Sequence, residues 1–177
     1  FGPLSNLARE NFPPARRIEA LIDDIATSTE ILRRYCTDSI QWEAVNYSLA
    51  PYLVEFDEEA LHEVSELLIL SLMSQQEGRE TCVTKVDIAW EVPHYLQGIE
   101  AIGPNGAMTG KYYESFQKTA QDFAHSLLQV FREVAEQYDT LNMPRVVATL
   151  PTLNREDAST LAFVNKVALC AFVLDDI

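Results

Sequence analysis

The amino-acid sequence predicts an all-α fold, a helical bundle that forms a single domain over residues 1–177. Glycine is scarce, with 6 among 177 residues, and apolar residues make up 47% of the chain. This composition favours a packed helical protein over a turn-rich β fold. Apolar residues also recur with helical spacing, most clearly between Phe116 and Tyr138. A chain of this length can bury one core but is short for two domains.

Three helices are predicted in the first half of the chain. The first follows Pro13-Pro14, the second covers residues 39–50 and ends at Pro51, and the third begins near Asp57, a suitable N-cap residue, and ends near Gly78. The apolar stripes of the first and third helices are formed by Ile18, Leu21, Ile22, Ile25, Leu32 and Tyr35, and by Leu61, Val64, Leu68 and Leu72.

The middle of the chain is less regular. Residues 85–92 alternate between apolar and other side chains, which is the period of a strand. Because one strand cannot make a sheet, an irregular or short helical segment fits this stretch equally well. Residues 98–110 contain four of the six glycines, so they predict a loop between two helical halves.

Two further helices are predicted in the second half, over residues 112–138 and 156–176. The first ends at Asn142-Met143-Pro144, and the second has Asn154 as N-cap with Glu156 and Asp157 at its positive end. Every residue from Val167 to Leu174 is apolar, so this helix is expected to be enclosed on nearly all sides. The residues expected to be buried there are Val167, Leu169, Phe172 and Val173.

The charge balance argues against several classes of partner. Lys and Arg number 13 against 27 Asp and Glu, for a net charge of −14. Such a chain repels nucleic acid and anionic membrane surfaces, and it would need metal ions to hold a phosphate-bearing substrate. No apolar run reaches the ~18 residues of a membrane-spanning helix. The start lacks an initiator Met and a signal-peptide apolar region, which indicates a fragment or a processed form.

The cysteines, Cys36, Cys82 and Cys170, are far apart in the sequence and form no CxxC motif. This pattern favours reduced thiols and a cytoplasmic location. The histidines, His62, His94 and His125, fall in three different segments, which is typical of ordinary surface residues. Trp42 and Trp90 are expected to be core residues.

One carboxylate pair, Asp175-Asp176, differs from the rest. It follows eight apolar residues and lies at the negative end of the last predicted helix. If the neighbouring helices exclude water there, a hard divalent cation is the natural compensation for the two charges. The pair Asp23-Asp24 lies within an amphipathic helix and is expected to be its solvated face. Asp175 and Asp176 are therefore the candidate metal ligands.

Residues 145–177 resemble the segment of class I terpene synthases that carries the first aspartate-rich motif, as in fungal and bacterial sesquiterpene cyclases. The shared features are a proline (Pro151), acidic residues that open a helix (Glu156-Asp157), and an apolar helix over 158–174 that ends F-x-x-D-D from Phe172 to Asp176. The resemblance implies an all-α fold in which Asp175 and Asp176 bind Mg²⁺. That Mg²⁺ would hold a prenyl diphosphate substrate for ionisation and cyclisation, in a cavity that Phe172 could line.

The second metal motif of that family, Asn/Asp-Ser-Glu, has no match in the sequence. The chain would accordingly be the N-terminal portion of such an enzyme. Two alternatives remain open: a non-catalytic, acidic helical module that binds a basic protein partner, and a carrier of a lipid or other small apolar molecule. The sequence shows no polar anchor residue for the carrier.

Overall fold

Helices and strands alternate along the chain in a computed structural model that describes residues 15–74, 82–138, 143–150 and 158–175, with the side chains of the last helix as far as Leu169. The helices are α1 (Ile18–Arg33), α2 (Val45–Leu49), α3 (Glu58–Ser74), α4 (Gln117–Gln137) and α5 (Ala158–Asp175). The strands are β1 (Ser39–Trp42), β2 (Val83–Ala89), β3 (Glu100–Ile102), β4 (Met108–Tyr112) and β5 (Arg145–Thr149). Short 3-10 turns lie at Ala50–Tyr52, His94–Leu96, Pro104–Gly106 and Tyr113–Phe116.

The fold is mixed α/β, so the prediction of an all-α helical bundle is wrong. Strands β1, β2 and β5 form a parallel sheet in the order β1-β2-β5, and β3 pairs with β4 in an antiparallel ribbon. Strand β1 lies within residues 39–50, which were predicted to be helical; the helix there is limited to Val45–Leu49. Strand β5 was not predicted. Of the ambiguous segment 85–92, residues 85–89 belong to strand β2.

The strands could not be recognised one at a time because their partners are distant in the sequence. The register places Trp42 of β1 opposite Val86 of β2, and Ile88 of β2 opposite Ala148 of β5. Each strand is short, and a short apolar run does not distinguish strand from helix by its period. The hydrogen bonds of the neighbouring strands decide the conformation.

The helices α1, α3, α4 and α5 form a layer in which each contacts the next. This layer covers one face of the parallel sheet, where Val86 and Ile88 of β2 join a core that includes Leu68 of α3 and Phe123 of α4. Strand β1 is connected to β2 through α3, and β2 to β5 through α4, so both crossovers run over the same face. The other face of the sheet receives no long helix from the residues that the structure describes.

Helices α3 and α4 agree with their sequence patterns. The carboxylate of Asp57 caps α3 by accepting a hydrogen bond from the backbone N–H of Ala60 at 3.0 Å. In α4 the predicted stripe is buried, with Phe123, Leu127 and Phe131 almost inaccessible. The predicted helix 112–138 is confirmed for Gln117–Gln137, whereas Tyr112 ends β4.

Helix α5 confirms the predicted helix 156–176 over Ala158–Asp175, but it is less enclosed than expected. Phe163 is fully buried and stacks on Trp90, with ring centroids 4.6 Å apart. Leu169 is 53% exposed and Val167 is only half-buried, because α5 packs mainly on α4. The prediction that Leu169 is buried is therefore wrong. Asn154, Glu156, Asp157 and Asp176, and the side chains of Phe172 and Val173, lie outside the described part of the chain.

The predicted loop 98–110 is only partly a loop. It contains β3 and the start of β4, which are joined by a tight turn in which Asn105 and Gly106 adopt φ of 63° and 67°. This ribbon belongs to the long connection between β2 and α4, on the carboxyl-end side of the parallel sheet. No helix among the described residues is long and apolar enough to cross a membrane.

Candidate functional site

The face of the parallel sheet opposite the layer of α1, α3, α4 and α5 carries several polar side chains and is partly open. Near its carboxyl end Asp87 and Ala89 are buried, and Ala89 packs with Ala44 and Tyr47 at α2. Alternate residues of a strand share a face; on this face they are Ser39, Gln41, Val83, Lys85, Asp87, Ala89, Arg145, Val147 and Thr149. Gln41, Arg145 and Thr149 are exposed, and Lys85 and Val147 are half-buried. Parallel sheets are normally covered on both faces, so an open polar face is a candidate binding surface.

Asp87 lies at the centre of this face, near the carboxyl end of the middle strand, and it is only 7% exposed. Its Oδ2 accepts a hydrogen bond from the backbone N–H of Ala44 at 3.2 Å, and its Oδ1 accepts one from the hydroxyl of Thr149 at 3.0 Å. The carboxylate therefore ties together the chain segments that follow β1 and end β5. Ligand sites in parallel α/β sheets lie at this carboxyl end of the strands.

The backbone that contacts Asp87 is strained. Ala44 adopts the left-handed conformation, with φ of 44° and ψ of 48°, although it is not glycine. Such a conformation costs about 1–3 kcal/mol and is found disproportionately at functional sites. The hydrogen bond from the Ala44 N–H to a buried carboxylate offsets part of this cost and directs α2 across the carboxyl end of the sheet.

Asn46 of α2 fixes the helix to the sheet. Its side-chain N–H groups donate to the carbonyls of Ala89 at 2.8 Å and Ala120 at 3.1 Å, and its Oδ1 accepts from the Ala89 N–H at 3.0 Å. The amide thus replaces the backbone of β1, which ends at Trp42, as the partner of β2. The rim of the site around Asp87 is rigid as a result.

Tyr95 and Glu43 border the same carboxyl end. Partial burial of the hydroxyl, and then the negative charges of Glu43 and Asp87, raise the pKa of Tyr95 above its ordinary value. A tyrosine hydroxyl is protonated at neutral pH even at its ordinary pKa of 10.0, so the shift leaves Tyr95 a hydrogen-bond donor. The ring itself is half-exposed. Tyr95 can thus donate to a molecule bound beside Asp87.

Two cations lie side by side toward the amino end of the same face. Lys85 of β2 is directly opposite Arg145 of β5 in the parallel register. Neither forms an ion pair with another residue that the structure describes. The ion pairs found there lie at the end of α1, on α4, or between α3 and α4. Like charges opposite each other destabilise a sheet. An anion bound between Lys85 and Arg145 would remove that repulsion.

A concavity of about 440 Å³ lies on the helical layer between α3, α4 and α5, away from the open face of the sheet. His62 and His125 both line it, so these two histidines are not isolated as the sequence suggested. His62 is hydrogen-bonded to Glu133 at 2.8 Å. Burial, and then the nearby Lys166 ammonium, lower the pKa of His125. Within the described residues there is no group of three or more side chains that could hold a metal ion.

The residues predicted from the sequence to bind metal lie elsewhere. Asp175 ends α5 and Phe172 lies within it, in the helical layer, while Asp176 is outside the described residues. Their role as magnesium ligands and cavity residue stays a prediction. The residues of the open face were missed because two of its three strands were not recognised. The alternation over 85–92 did, however, already separate Lys85 and Asp87 from the apolar face.

No family model, no curated protein and no solved structure matches this chain.

Proposed function

We propose that the open face of the parallel sheet binds a small molecule with a phosphate group, and that Lys85 and Arg145 contact that phosphate. The observation that carries this proposal is the adjacency of the two cations in the β2–β5 register. Neighbouring strands are ~4.8 Å apart, so both side chains can reach the same phosphate group. Arg is well suited to bind phosphate oxygens in a bidentate manner, and Lys adds a point charge.

The negative net charge of the chain makes the Lys85–Arg145 pair a more selective anion site. A chain with a net charge of −14 repels anions over most of its surface. A phosphate is attracted only where cations are concentrated and are not neutralised by neighbouring carboxylates. Among the described residues neither Lys85 nor Arg145 forms an ion pair, and the carboxylate nearest along their face, Asp87, is held by Ala44 and Thr149. Lys118 and Arg132, in contrast, are paired with Asp122 and Glu136 on α4.

The rest of the site suits a polar group on the same molecule. Asp87 lies two residues beyond Lys85 on one strand face, about 6.6 Å along the strand. Its carboxylate can accept a further hydrogen bond from a hydroxyl or amino group. The exposed Thr149 and the protonated Tyr95 lie close to it. A small phosphorylated alcohol or amine would thus span the distance between the cation pair and Asp87.

The resemblance to class I terpene synthases implied an all-α fold, which the parallel sheet contradicts. The short sequence motif by itself supports a separate proposal, that Asp175 and Asp176 bind a prenyl diphosphate through Mg²⁺. The two proposals differ in one requirement. Binding at Lys85 and Arg145 needs no metal ion, whereas binding at two carboxylates depends on one. Titrations with and without magnesium separate them.

The test is a calorimetric titration of inorganic phosphate and pyrophosphate into the protein without divalent metal. We expect pyrophosphate to bind, and the Lys85→Gln/Arg145→Gln double variant to lose at least tenfold in affinity. The Lys118→Gln/Arg132→Gln variant removes the same charge from α4 and is the matched control, expected to bind as the wild type does. Equal affinities of the two double variants would show that net charge alone attracts the anion. Absence of binding by the wild type would favour the acidic protein-interaction module.

A further inference from the structure

Two of the three cysteines approach each other at the amino end of the parallel sheet, although they are far apart in the sequence. Cys82 immediately precedes β2, and Cys36 lies three residues before β1. Ser39 is opposite Val83, and the Val83 N–H donates to the Asp38 carbonyl at 3.0 Å. Cys82 is therefore across from Asp38, and Cys36 is two residues away on a chain that bends there. The two Cα atoms are at most ~12 Å apart by chain geometry. A disulfide requires a Cα separation of about 4.4–6.8 Å, so any larger separation must be closed by movement of the bend that carries Cys36.

The two thiols differ in exposure. Cys36 is half-buried, whereas Cys82 is buried, and both are free thiols. Burial is the main cause that raises the pKa of the Cys82 thiol, while the nearby Arg33 guanidinium lowers it and Cys36 and Asp38 raise it further. Arg33 is itself held next to β2, since its Nη2 donates to the Thr84 hydroxyl at 2.7 Å. Cys82 thus has both another thiol and a fixed cation close to it.

We propose that Cys36 and Cys82 are a redox-active pair that forms a reversible disulfide, with a glutathione-type disulfide as the oxidant. The more accessible Cys36, as its thiolate, attacks the oxidant and forms a mixed disulfide, releasing one glutathione thiolate. Cys82 gives its proton to the released glutathione thiolate, and the Cys82 thiolate attacks the Cys36 sulfur and expels the second glutathione as a thiolate, which takes a proton from water. Two protein thiols are oxidised to one disulfide, and one glutathione disulfide is reduced to two thiols.

The order of the two steps follows from the positions of the residues. An oxidant in solution reaches Cys36 more easily, because Cys82 is only 4% exposed. Arg33 stabilises the Cys82 thiolate in the second step. The product joins the segment after α1 to the start of β2 and closes the loop that holds β1, α2 and α3. This proposal is independent of phosphate binding on the open face of the sheet.

The experiment is oxidation of the full chain with glutathione disulfide, followed by alkylation and peptide mapping without reduction. We expect a peptide that links Cys36 to Cys82 and disappears on reduction. In Cys36→Ser, Cys82 should stay alkylatable only after unfolding and carry no glutathione. Cys170→Ser is the control and should still form the linked peptide.

Three outcomes would overturn the proposal: stable glutathione on Cys36 with Cys82 still a thiol, a link from either residue to Cys170, or no oxidation at all. The wild-type map decides between these outcomes without any variant, so poor folding of a serine variant does not affect the result.

Discussion

The side-chain amide of Asn46 takes the place of a β-strand next to Ala89, donating to its carbonyl at 2.8 Å and accepting from its N–H at 3.0 Å. Asn46 is fully buried, and its amide nitrogen also reaches the Ala120 carbonyl of α4. A single residue thereby connects α2, the middle strand and α4 beside Asp87.

Asn46→Ala should therefore be strongly destabilising. The change leaves the buried N–H and carbonyl of Ala89 without their partner, and such groups are costly to leave unsatisfied. We expect a loss of about 2–3 kcal/mol in the free energy of unfolding, measured by urea denaturation. Asn165→Ala, at an exposed position of α5, is the control and should change stability by less than about 0.5 kcal/mol. Similar losses in the two variants would mean that the Asn46 bonds do not stabilise the fold.

The opposed cations of the open face should cost stability when no anion is bound. Lys85→Gln removes one of two like charges in register, so we expect the free energy of unfolding to rise by about 0.2–1 kcal/mol at low salt. The gain should shrink at about 0.5 M salt, because screening weakens the repulsion. Lys118→Gln, which breaks the pair with Asp122, should not stabilise the protein under either condition. A loss of stability in Lys85→Gln would contradict the proposed repulsion.

The sequence predicts some elements of the fold and of the candidate site better than others. Helices α1, α3 and α4 each carry an apolar stripe within one continuous segment, so the period alone identifies them. Strands β1 and β5 span four and five residues and depend on partners elsewhere in the chain, so no local pattern marks them. The site depends on the same information, since Lys85 and Arg145 meet only through the β2–β5 register. Asp87 could be placed on the polar face of a strand but not identified as a hydrogen-bonded centre.

Helix α5 should be held to the rest of the protein mainly through Phe163, and much less through Leu169. Phe163 is fully buried against Trp90, whereas Leu169 is half-exposed. We expect Phe163→Ala to cost about 3–5 kcal/mol and Leu169→Ala less than about 1 kcal/mol in the free energy of unfolding. Equal losses would show that the outer face of α5 is covered in solution. Phe172→Ala, in the same measurement, reports whether Phe172 is a core residue as the sequence predicts.

Stability should fall as the solution becomes acidic, and His125 should contribute to that fall. Burial, and then Lys166, lower the pKa of His125 in the folded protein, while Asp122 opposes them. Above the ordinary histidine pKa of 6.5 both the folded and unfolded states are neutral, and no penalty exists. As the pH falls below that value, the unfolded state binds the proton first, so stability is lost until the folded-state pKa is reached.

The measurement is urea denaturation between about pH 7.5 and about pH 5. His125→Gln should show a shallower loss than the wild type, whereas the exposed His94→Gln should follow the wild type. Identical slopes for His125→Gln and the wild type would contradict the assignment. His62 lines the same concavity and is hydrogen-bonded to Glu133. Both residues are present in every variant, so the comparison isolates the imidazole of His125.

The magnesium prediction at the end of α5 can be tested with the same titrant as the open face. If Asp175 is a metal ligand, adding magnesium should strengthen pyrophosphate binding. Asp175→Asn should remove that increase in affinity, because it replaces the negatively charged carboxylate ligand with a neutral amide. Asp23→Asn, in the solvated pair of α1, takes away the same charge and should keep the increment. The Lys85→Gln/Arg145→Gln variant should also keep it, since the two sites are distinct. A wild type whose pyrophosphate affinity does not change with magnesium would rule out metal-dependent diphosphate binding by this chain and leave the cation pair as its only proposed anion site.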